Sequence, residues 1–108
     1  MKLINLTPHP VVILDEAGNV VKTIQPEGTP LRLDEEVEPL GTIDNIPVVR
    51  KTLKEEVNQS LPREEGTYYI VSLPTAQALR RPDLLVPDDL VRDEQGRILG
   101  CRRLATLV

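Results

Sequence analysis

Short apolar runs alternate with turn-forming residues along the whole chain, and the spacing is that of strands rather than helices. The segments "ILDEAGNVV" (13–21) and "VRDEQGRIL" (91–99) share one local grammar, Asp-Glu-x-Gly between aliphatic residues. Gly18 and Gly96 are free to take a positive φ, so both segments predict β-hairpins. In "GTIDNIPVV", Asp44-Asn45 predicts a two-residue turn between Ile43 and Ile46, because both residues tolerate the left-handed region. Pro47 lacks a ladder donor, so the strand 46–53 is expected to start at an edge or with its nitrogen facing solvent. "TYYIVS" (67–72) is almost continuously apolar and predicts a central strand covered on both faces. Further strands are expected at 2–6, at 10–14 and from Arg97 to the end of the chain.

Helix is scarce in this pattern. "LPTAQALRRPD" has Pro74 suited to a first turn, good helix formers at 76–79 and Pro82 to stop it after about two turns. Ten prolines cut the rest into strand-length pieces, and 25–30 and 58–66 read as exposed loops. The expectation is a single mainly β domain over 1–108. Its predicted form is a small antiparallel barrel or sandwich of six or seven strands with one short helix.

Composition narrows the function. The 108 residues include no Phe, no Trp and only Tyr68 and Tyr69, so the core must be aliphatic. A net charge of -4 and the lack of aromatic platforms argue against nucleic-acid binding, which depends on Lys and Arg neutralising phosphates and on stacked bases. The lone Cys101 forms no internal disulfide, and one His with one Cys cannot build a Cys/His zinc site. No stretch approaches the roughly 18 apolar residues of a membrane span, and no signal-like N-terminus is evident. A cytoplasmic protein without cofactor, metal or membrane contact is expected. Cys101 reads as a small buried residue of the last strand.

The candidate chemistry starts at "NLTPHP", where the only histidine, His9, lies between Pro8 and Pro10. Proline on either side stiffens the backbone and aims the imidazole. His9 is therefore either a functional group or the polar corner of a tight turn. Partners could come from the end of the 67–72 strand, where Ser72 leads into the helix and Arg81 and Asp83 follow it. A strand leading into a helix start suits an anion, and Arg adds a forked pair of donors. The plain alternative is that Ser72 caps the helix, the arginines complement its end and Asp83 pairs with them. The paired acids, such as Glu55-Glu56 and Asp88-Asp89, diverge or face solvent and read as solubilising.

"NLTPH", "YIVS" and "RPDLLVPDDLVRDEQGRILG" together resemble a group of small proteins of bacterial and phage genomes to which no activity is attached. The resemblance implies that Asn5, Thr7, His9, Tyr69, Ser72, Arg81, Asp83, Arg92, Asp93 and Gly96 sit in the segments that define the group. A phage setting would favour a binding protein over a metabolic enzyme.

The expected function is that of a non-enzymatic binding or interaction module, a homo-oligomer holding an anionic small molecule or nucleotide. Its expected ligand-binding residues are Asn5, Thr7, His9, Ser72, Arg81 and Asp83. One alternative is a small hydrolase of phosphate or acyl esters with His9 as general base. Another is a structural assembly component whose apolar edges bind neighbouring copies.

Overall fold

The computed structural model describes residues 1–108. Its elements are β1 (Lys2–Asn5), β2 (Val11–Leu14), β3 (Val20–Ile24), β4 (Leu33–Ile43), β5 (Ile46–Val57), β6 (Thr67–Ile70), α1 (Leu73–Leu79), β7 (Leu84–Arg92) and β8 (Ile98–Ala105). The protein is mainly β with one short helix, as the patterning predicts. All three hairpins form at the expected turns. Gly18 and Gly96 take φ of 87° and 81°, and Asp44 and Asn45 take 51° and 64°, the pair of left-handed residues that a tight twisted hairpin requires.

Six strands make one sheet in the order β1-β6-β7-β8-β2-β3, and β4 and β5 pair only with each other. The sheet is mixed rather than antiparallel. β1 and β7 both run parallel to β6, and β8 meets β2 in parallel through the pair Ile13 and Cys101. The reason lies in the connections. Strands joined by a tight turn must be antiparallel, whereas β6 and β7 are joined by a crossover that contains α1, which returns the chain in the same direction.

The sheet curls until its two edges meet at one end, where Asn5 bridges Pro26 and the Glu27 amide donates to the Asn5 carbonyl at 2.8 Å. This single bridge does not close a barrel, and the β4–β5 sheet projects rather than stacking as the second layer of a sandwich. Eight strands stand where six or seven were expected.

Two aliphatic clusters follow from the curl. Val11, Ile24, Ile70 and Cys101, with Leu3, Ile13 and Leu104 against them, gather side chains from β1, β2, β3, β6 and β8 on the concave side. Leu6, Leu31, Tyr69, Val71, Ala76, Leu84 and Val86 form the other cluster, in which α1 packs on β6 and β7. A seven-residue helix is unstable alone, and burial of Thr75 and Ala76 holds this one. β6 lies between the clusters, with Tyr69 and Ile70 buried on opposite sides, as a central strand should.

Gly100 admits β8 against β2. A Cβ there would stand 2.6 Å from the Val12 carbonyl oxygen, so only glycine fits. The two expected loops are zipped together: Asn58 accepts from the Arg32 amide at 3.0 Å and donates to the Pro30 carbonyl at 3.1 Å, and Gln59 donates to the Thr29 carbonyl at 2.6 Å.

Candidate functional site

Asn5 organises the "NLTPHP" corner from inside. It is completely buried, and its side-chain amide donates to the carbonyls of His9 and Ile24, both at 2.9 Å. Its Oδ1 accepts from the Thr7 amide at 2.9 Å. The Thr7 hydroxyl lies 2.7 Å from that same Oδ1 and 2.9 Å from the His9 carbonyl oxygen, and its one proton serves one of them at a time. Asn5 thus ties the corner to β3 across the seam of the curled sheet. It holds the backbone of His9 while the exposed imidazole makes no hydrogen bond within the chain.

Ser72 precedes α1, but its hydroxyl bonds Thr75 Oγ1 at 2.9 Å instead of capping a backbone amide. Thr7 and Ser72 together separate two depressions. The larger, about 630 Å³, is a polar crevice between the body and the foot of the β4–β5 hairpin, with Glu35, Lys51 and Leu53 on its hairpin side. The smaller, about 250 Å³, is an apolar groove lined by His9, Pro10, Leu73, Pro87, Leu90 and Ile98 among others, with no acidic side chain.

Thr7, His9 and Ser72 therefore converge, whereas Arg81 and Asp83 line neither depression. Arg81 is fully engaged elsewhere. Its guanidinium forks onto both oxygens of Asp83 and donates to the Leu61 carbonyl at 2.8 Å. These two side chains are only 14% and 16% exposed, so the pair fastens the 58–66 loop to the start of β7. Asn5 is too deeply buried to touch a ligand. Of the six expected binding residues, three share a concavity and three are held in the framework.

The feature that the sequence reading missed is the length of the β4–β5 hairpin. Its strands have 11 and 12 residues, and almost every position is exposed. Val37 is 53% exposed, Ile43 66% and Ile46 63%, and Leu40, Val49 and Leu53 are similarly open. The chain's Cα radius of gyration is 16.6 Å, against ~13 Å for a compact domain of this size. The register puts Val37, Pro39, Val49 and Leu53 on one face together with the Glu35–Lys51 ion pair, and Ile43 and Ile46 on the other with Glu38 and Arg50, which form a 3.0 Å ion pair. Residues 33–57 hold seven acids and three bases and so carry the whole net charge, the remainder having ten of each. Within the arm the excess lies at the foot, in Asp34, Glu35, Glu36, Glu55 and Glu56 against Lys54. Glu38 and Asp44 balance Arg50 and Lys51 in the outer part.

The remaining polar groups are structural. Backbone N–H donation from Asn19 holds the Asp15 carboxyl below its ordinary value, and that from Arg97 does the same for Asp93. Burial pushes the Cys101 thiol up, which suppresses its thiolate and its reactivity. No group of three or more His, Cys, Asp or Glu is placed to hold a metal ion, and no helix is long and apolar enough to cross a membrane. No family model, curated protein or solved structure matches the chain.

Proposed function

We propose that this is a non-catalytic interaction protein that works through the β4–β5 arm. One observation carries the reading: a long hairpin with six large apolar side chains exposed, paired to no other strand. An isolated two-stranded hairpin is marginal in water, so one this long that leaves large apolar side chains open on both faces gains from contact with another molecule. The arm is completed by what it docks on. This is the assembly-component alternative of the sequence reading, located on a particular element.

An anionic ligand between Thr7, His9 and Ser72 is the second reading, supported by their convergence at the apolar groove. It has the Ser72 hydroxyl and the His9 imidazole to recognise the anion, since the Thr7 proton is committed to the Asn5 and His9 oxygens and Arg81 to Asp83. A groove of about 250 Å³ is also below the ~300–1,000 Å³ usual for small-molecule sites. The hydrolase alternative has less behind it, because no acidic side chain lines the groove to orient the His9 imidazole.

The arm reading is tested by replacing Val37, Ile43, Ile46 and Val49 with Thr, which keeps strand propensity and removes apolar surface. Circular dichroism should show the body still folded, because these side chains join neither core cluster. Partners retained by the tagged wild type should be lost. Equal recovery by both proteins would overturn the reading.

A further inference from the structure

Two apolar surfaces of this chain have no cover, and they fit each other. One is the arm's tip, where Leu40, Ile43 and Ile46 flank the Asp44-Asn45 turn. The other is the groove bordered by Leu73, Leu90 and Ile98, each of which is 44–56% exposed. The groove is small for a ligand but has the scale of a few aliphatic side chains. Neither surface carries net like charge against the other. The tip's only charged residue is Asp44, and the only titratable side chain in the groove besides the buried Cys101 thiol is His9.

We propose that the tip of each arm inserts into the groove of a second copy of this chain, giving a two-fold dimer with reciprocally exchanged arms. The inference rests on the arm being a docking element and names what it docks on. Three observations favour a second copy. The first is placement. The groove adjoins the crevice at the arm's foot through Thr7 and Ser72, so two arms running antiparallel bring each tip to the other's foot, where the groove lies. The second is charge. Antiparallel arms keep the two acidic feet at opposite ends, whereas parallel arms would juxtapose them. The third is size. One face of the arm, about half of the 23 residues of β4 and β5, together with the 13 residues that line the groove, supplies the roughly 20–30 residues per side of a stable interface. In this arrangement Asp44 arrives at the imidazole of the partner subunit's His9. That gives the one histidine of the chain a hydrogen-bond partner, which it lacks within its own subunit.

The test is sedimentation velocity across a concentration series, with the full chain. Wild type should be dimeric. Ile43→Lys blocks the tip and Ile98→Lys blocks the groove, and each should weaken the dimer at least about tenfold. Leu90→Lys is a second groove variant, and circular dichroism should confirm that all three fold. Mixing the tip variant with either groove variant should restore dimers, because one intact tip then meets one intact groove. A folded groove variant that dimerises like wild type would overturn the proposal, as would a mixture that stays monomeric. Wild type that remains a monomer at its highest soluble concentration would overturn it too. That result leaves the arm itself to the partner-recovery experiment above, so the two failures are distinguishable.

Discussion

At the scale of single residues, Asn5 and His9 exchange the weights that their chemistry suggests. Histidine is the conspicuous residue, yet its imidazole makes no bond inside the chain, while the unremarkable asparagine makes four polar contacts at the seam. Asn5→Ala leaves the buried carbonyl of Ile24 without its donor and frees the corner, and should cost about 2–3 kcal/mol in denaturant unfolding. His9→Ala should change stability by less than ~0.5 kcal/mol, the usual range for an exposed side chain. A larger loss from His9→Ala than from Asn5→Ala would show that the imidazole, not the amide, holds the corner. His9 reads as a site because it is rare, whereas Asn5 reads as ordinary because its partners, at positions 7, 9 and 24, include one from another strand. Arg81 and Asp83 misled for a related reason: a fork that can grip an anion can also grip a carboxylate two residues away.

At the scale of elements, the turns were legible and the arm was not. Asp15 accepts from the amides of Ala17 and Asn19, and Asp93 from those of Gln95 and Arg97, so one short motif builds the same turn twice. These bonds favour the ionised carboxyl and lower both pKa values from 3.8. The sign of the pH dependence follows. A depressed aspartate contributes stability above its unfolded pKa and loses it as pH falls through the folded one, so both turns should loosen only in strongly acid solution. The amide resonances of Asn19 and Arg97 should titrate with midpoints below 3.8. A midpoint above that value would mean the turns are held by something else. The arm escaped notice because "LDEEVEPL" alternates acids with single apolar residues, and an exposed strand of that kind has the composition of a loop. Its pairing with the Lys- and Arg-bearing β5 supplies the complementary charge, through Arg50–Glu38, Lys51–Glu35 and Lys54–Glu36.

At the scale of the whole molecule, the chain is a small curled body with a long appendage, and its C-terminal segment belongs to the body. Leu104 packs on the concave cluster, Ala105 and Leu107 pack on the other, and Arg80 donates to the Leu107 carbonyl at 3.2 Å. Removing 104–108 strips both clusters at once and should lower the thermal midpoint by on the order of 10 °C or more. An unchanged midpoint would mean that this segment adds nothing to the core. The truncation also acts on the groove only through the stability of β8, which separates its effect from that of the tip and groove variants.

The sequence by itself determined the strand-rich class, the one short helix, the three hairpin turns, the central place of β6 and the aliphatic core. Each of these depends on local torsional preference or on the periodicity of apolar residues within one element. Tertiary structure decided the mixed strand order, the seam sealed by Asn5 and the sorting of Thr7, His9 and Ser72 away from Arg81 and Asp83. It alone exposed the arm that nothing in its own chain covers. Those features depend on which distant segments become neighbours, and a polar side chain carries no mark in one dimension of whether its hydrogen bonds will close inside the fold or remain open to another molecule.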